Sequence, residues 1–183
     1  IPEPAISWAL PLLISCILLL ACTGCILKEP VIFGKNAIKQ LDVEQLMGSW
    51  HEVAQSGRPE RKMIAAVNIE TSINDKGIIR LDIKKNKFTP YGPYTEVRGK
   101  AKWNPDYPGI LKCSLYMNFF REYYILYLDP DNTTTLICNR AATRFWVFSK
   151  HMSLSENQIA GIIQKMESVG FDPDKLIWHP AYF

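Results

Sequence analysis

"YTEVRGKAKW", residues 94–103, reads as an extended strand with one dry face and one wet face. Thr95, Val97, Gly99, Ala101 and Trp103 fall on one side; Tyr94, Glu96, Arg98, Lys100 and Lys102 fall on the other. Successive side chains of an extended chain point to opposite faces, so a period of two marks a wall between a core and water. The same alternation stands upstream in "GIIRLDIKK" (77–85), where Ile79, Leu81 and Ile83 oppose Arg80, Asp82 and Lys84. In "AVNIET" (66–71), Val67, Ile69 and Thr71 oppose Asn68 and Glu70. Turn residues punctuate the pattern: Asn74-Asp75-Lys76-Gly77, then Asn104 to Gly109 with two prolines, then Asp129-Pro130-Asp131-Asn132. The spacing predicts strands near 50–56, 64–73, 78–86, 94–103, 110–116, 122–129, 133–139 and 144–151. Eight such strands imply an all-β fold, an eight-stranded antiparallel up-and-down β-barrel wide enough for one small ligand.

One helix follows the strands. Ser155 and Gln158 form a capping-box pattern, Ile159, Ile162, Ile163, Met166 and Val169 recur at helical spacing, and Gly170 supplies the stop. A one-sided stripe must be buried on something apolar, and Tyr124, Leu126 and Leu128, outward by parity, are unusually greasy for a wall facing water. The expectation is a C-terminal external α-helix lying across that strand, with Leu176-Ile177-Trp178 adding a short last strand. The small residues Gly99 and Ala101 on the inner face admit two explanations: a cavity, or large neighbours such as Trp103 or Tyr123 filling the space.

Composition narrows the function classes. The chain has 183 residues, room for one domain of about 150 plus a leader. With 48% hydrophobic and 21% charged residues it reads as globular, and a net charge of +3 without an arginine-rich stripe excludes a nucleic-acid binder. The histidines, His51, His151 and His179, lie far apart and propose no metal cluster; no cofactor is expected. Cys113 and Cys138 lie on strands separated by a third, too far apart for a disulfide.

The N-terminal segment is of another kind. No charged residue occurs from Ala5 to Leu27, and "LLAC" (19–22) resembles the lipobox of bacterial lipoproteins. That resemblance implies cleavage before Cys22 and acylation of its thiol and amine, with Ala21 as the small residue the peptidase needs. The opening Ile1-Pro2-Glu3 lacks the early Lys or Arg of that pattern, and Cys25 is a second candidate for processing. The expected organisation is a signal peptide over 1–21, a tether over 22–38 and a barrel over 39–183. Thr23 after the cysteine, by the same resemblance, favours the outer membrane of a bacterial envelope, at its periplasmic face.

Order and motifs together resemble the lipocalin family. "GSWHEVA" supplies its opening Gly-x-Trp as Gly48 and Trp50, followed by Glu52 and Ala54. The second motif is present in degenerate form as "YLDPD" with Asp129, and "FWVFSKH" places Lys150 where the family's third motif carries Arg. The likeness is greatest to the bacterial outer-membrane lipocalins, in "YYILYLDPDNTTTLICN", "FWVFSK" and "GFDPDKLIWHP". It implies that Trp50 plugs the barrel floor with Lys150 against it, and that a fatty acid, lysophospholipid or similar amphiphile is held without catalysis.

The expected cavity lining is the inner face by parity: Glu52, Val67, Ile69, Leu81, Ile83, Val97, Gly99, Ala101, Leu115, Tyr123, Ile125 and Tyr127. Cys113 shares that face, and a cavity cysteine performs prostaglandin isomerisation in one lipocalin subgroup. No base or oxyanion site stands at readable spacing, so an enzyme is not the expectation. The expected partners are the lipid ligand and a membrane reached through acylated Cys22; pairing into a homodimer stays open. A structural lipoprotein with a filled barrel is the rival reading.

Overall fold

In the computed structural model, residues 33–56 and 64–179 are described, and the signal peptide, Cys22 and Cys25 lie outside them. Eight antiparallel strands form the wall: β1 Gly48–Ser56, β2 Ile64–Ile73, β3 Ile78–Lys87, β4 Tyr94–Trp103, β5 Ile110–Ser114, β6 Arg121–Leu128, β7 Thr134–Asn139 and β8 Phe145–Ser149. Each pairs with the next, and β8 pairs with β1, which also pairs with β2, so the sheet closes on itself. Helix α1, Glu156–Ser168, and β9, Leu176–Trp178, complete the fold. β1 is shared between neighbours: Gly48–His51 pair with β2, whereas Ala54–Ser56 pair with β9.

The up-and-down order gives the barrel two ends. Connections after β3, β5 and β7 lie at one end, the mouth; those after β2, β4 and β6 lie at the other, the floor. A 3-10 turn, Val43–Leu46, crosses beneath the floor, capped by Asp42, which accepts from the Glu44 amide at 3.1 Å. The chain then enters β1 through Gly48, whose φ of +108° suits a residue without a side chain. Contacts with the barrel begin ahead of the first strand, at Ala37 and Ile38. Ala37 is buried, the Ile38 amide donates to the Ile125 carbonyl at 2.9 Å, and both residues pack against Gly109.

Two apolar clusters fill the lower barrel. One gathers Leu46, Trp50 and Ile125 with Phe148 and Ile137; the other gathers Val43, Ile79 and Ala101 with Trp103, Leu111 and Cys113. A third lies outside the wall, where Ile162 and Met166 of α1 bury against Tyr124, Leu126, Leu136, Phe145 and Val147. The helix thus covers the greasy outer strand, as its stripe requires. Its capping box is formed in full by Ser155 and Gln158.

Parity fails at one point of β6. A bulge between Ile125 and Tyr127 inserts a residue, so alternation restarts out of step. Leu128, expected outside, packs into the floor cluster with Trp50. Tyr127, expected to line the cavity, stands outside beneath α1, where its hydroxyl lies 2.5 Å from the position a Cβ on Gly161 would take.

Candidate functional site: the barrel interior and its mouth

Cross-strand register assembles the inner wall from residues distant in sequence. Ile69, Ile83 and Val97 form one row. Ile73, Ile79, Ala101, Cys113 and Arg121 form another, rising from the floor at β2 to the mouth at β6 because the strands are staggered. Val67, Lys85 and Thr95 form a row near the mouth.

The floor is sealed by hydrogen bonds as well as packing. Trp50 Nε1 donates to the Leu46 carbonyl at 2.9 Å, and Thr71 Oγ1 donates to the same carbonyl at 2.6 Å. Lys150, just beyond β8, lies with Nζ 4.9 Å from the centroid of the Trp50 ring and donates to the Gln45 carbonyl at 2.9 Å. The ammonium therefore does two things at once, a cation–π contact and a bond to the turn.

Asp129 stands just outside the floor, 3% exposed. Burial pushes its carboxyl up, but donors outweigh this: the Gln158 side chain, the Thr134 amide, and the hydroxyl and amide of Thr133 hold it below its ordinary value of 3.8. Gln158 Nε2 reaches Asp129 at 2.9 Å, so the residue that completes the helix cap also ties α1 to the turn after β6.

The inner wall is buried at the floor and opens at one part of the mouth. Ile125 and Ala101 are fully buried at the floor, Val67 and Ile83 nearly so above them, and Leu115 at the mouth is 44% exposed. Ile69 and Leu81 pack on the two floor clusters. Tyr123 meets Trp146 with ring centroids 5.8 Å apart. The small residues prove to have large neighbours. Leu115 Cδ2 lies 2.6 Å from where a Cβ on Gly99 would be, and Ala101 packs among Val43, Ile79 and Trp103. Ala101 therefore belongs to the packed floor rather than to a cup lining.

Glu52 is buried, and its Oε1 lies 3.0 Å from Nε2 of His179, the residue after β9, whose amide donates to the Val53 carbonyl. Its carboxylate is engaged by the chain itself. Sequence spacing gives no sign of this pair, whose members stand 127 positions apart. Trp146 was also missed, because "FWVFS" is apolar on both faces and parity cannot choose between them. Lys85 and Arg121 are inner-face cations at the mouth, which the alternation of β3 and β6 gives when extended by one step.

Cys113 is inward and Cys138 lies in the outer cluster, both as free thiols. Burial pushes each thiol up to about 12, so both stay protonated at neutral pH.

The family profile of the lipocalin-like domain matches residues 41–181. The outer membrane lipoprotein Blc of Citrobacter freundii is 24% identical over 146 residues, covering 79% of this chain and 82% of that one. Temperature-induced lipocalin-1 of Arabidopsis thaliana is 27% identical over 151 residues, covering 77% and 80%. Among solved structures, insecticyanin from the tobacco hornworm Manduca sexta superposes with a TM-score of 0.61 at 14% identity, covering 78% of this chain and 82% of that one.

Proposed function

Because this chain belongs to the lipocalin family, whose members bind small hydrophobic ligands, we propose that it carries a single-chain amphiphile in the upper half of its barrel. The observation that carries the reading is the inner wall: a sealed floor, the apolar row Ile69, Ile83 and Val97 above it, Leu115 open to solvent, and Lys85 and Arg121 as cations at the mouth. The chain of a fatty acid or lysophospholipid lies along Ile83, Val97 and Leu115. Its anionic head stays near Lys85 and Arg121 at the mouth. About 0.8 kcal/mol per buried methylene gives a sixteen-carbon chain roughly 12 kcal/mol gross, and association costs leave micromolar to nanomolar affinity.

Ligand binding needs no catalysis, and the protonated Cys113 thiol is a poor nucleophile, which argues against an isomerase. The "LLAC" segment and the likeness to Blc, an outer membrane lipoprotein by name, support an outer-membrane protein anchored through Cys22. The filled-barrel reading draws on the tight packing of Gly99 and Ala101.

Titration of the purified chain with a fluorescent sixteen-carbon fatty acid separates the two. Val97→Trp is expected to weaken binding at least tenfold with an unchanged circular dichroism spectrum, and the outward Lys100→Glu to leave it alone. A parent that fails to bind would favour the structural lipoprotein, and equal binding by parent and Val97→Trp would move the ligand away from this wall. For the anchor, intact mass of the membrane fraction should show a chain starting at Cys22 with three acyl groups, and a Cys22→Ser variant should carry no acyl mass and not start at residue 22.

A further inference from the structure

We infer that the mouth end of the barrel docks on an anionic lipid surface. Large apolar side chains are exposed there in a cluster: Phe88 and Tyr91 after β3, and Tyr116, Met117 and Phe119 after β5, are each between 67 and 88% exposed. Scattered exposed apolar residues are ordinary, but a group gathered on one end of a barrel marks an interaction surface. The backbone adds an independent sign. Phe88 and Met117 hold φ of +66° and +44°, a conformation that disfavours bulky side chains and is most easily met by glycine. Large residues at such positions cost the turn, which points to a use for their outward side chains.

Charge chooses the partner. The loops "FTPYGP" (88–93) and "LYMNFF" (115–120) contain no acidic residue, and Lys84, Lys85, Lys87 and Arg121 flank them. Of the nearby carboxylates among the described residues, Glu122 is met by Lys112 and Arg140, each at 3.7 Å, leaving Glu96. The floor end is the reverse, with exposed Asp75, Asp106 and Asp131 in its turns. Aromatic side chains that seat at the headgroup level, ringed by cations, suit a bilayer containing anionic lipid. A second copy of this chain would bring like charge against like charge.

Hydrogen exchange of the full chain, with and without vesicles of phosphatidylcholine and phosphatidylglycerol, tests this site by site. Protection of at least fivefold is expected in 88–94 and 115–120, with none in 74–77 or 104–109, and it should vanish on pure phosphatidylcholine. The Tyr91→Ser/Met117→Ser/Phe119→Ser variant should lose that protection. Its affinity for the fluorescent fatty acid in vesicle-free solution should stay within a factor of three, a readout of the carrier reading alone. Equal protection at both ends, equal protection on neutral vesicles, or protection that grows with protein concentration in the absence of vesicles overturns the inference, the last in favour of self-association.

Discussion

Lys150 shows how much one side chain can hold at the floor. Its ammonium satisfies the Gln45 carbonyl and faces Trp50, so Lys150→Met should cost about 1–3 kcal/mol in denaturant unfolding, the carbonyl being left without its charged donor. Trp50→Ala empties the cluster it shares with Leu46 and Ile125 and should cost roughly 3–5 kcal/mol. Asp129 gives a pH signature. Its carboxyl titrates lower in the fold than its ordinary 3.8, so it contributes stability above that value and loses the contribution as pH falls through the folded value. Asp129→Asn should therefore be less stable than the parent at pH 7, and the gap should narrow below about pH 4 when unfolding is followed by fluorescence. Residues such as Trp50 and Lys150 could be placed from motifs alone. Glu52 could not, since its partner His179 arrives through the pairing of β9 with β1, a contact no local pattern encodes.

Among the elements, α1 and β6 are fitted to one another through Gly161 and Tyr127. Alanine at an exposed helical glycine normally stabilises by about 1 kcal/mol, yet here its Cβ would meet the Tyr127 hydroxyl at 2.5 Å. We expect Gly161→Ala to gain little or to destabilise in the parent, and to gain up to about 1 kcal/mol in a Tyr127→Leu background. A double-mutant cycle measures the coupling. Alternation located every strand to within two residues, because a barrel wall must be dry on one side and wet on the other. It could not find the bulge after Ile125, which is made of the same apolar residues as its surroundings, and so it exchanged the faces of Tyr127 and Leu128. Nor could it decide between room and neighbour for Gly99 and Ala101, since a small residue looks the same in either case.

Across the whole molecule the barrel divides into a packed lower half and an upper half whose inner wall opens toward solvent. The same substitution should then act differently by height. Ala101→Trp forces an indole among Val43, Ile79 and Trp103 and should lower the melting temperature, an overpacking cost of about 1–3 kcal/mol. Val97→Trp, higher on the same strand and only half-buried, should leave the melting temperature nearly unchanged.

The turn Val43–Leu46, drawn under the floor and held there by Trp50, Thr71 and Lys150, has a consequence for inheritance. The residues that close this end constrain one another, so a lineage can change them only in concert. The loops at the far end share few of those contacts and can drift singly. The outline of the fold survives wide divergence, as the superposition on insecticyanin at 14% identity illustrates. Under that constraint a single replacement at the floor should prove harder to accommodate than one at the rim.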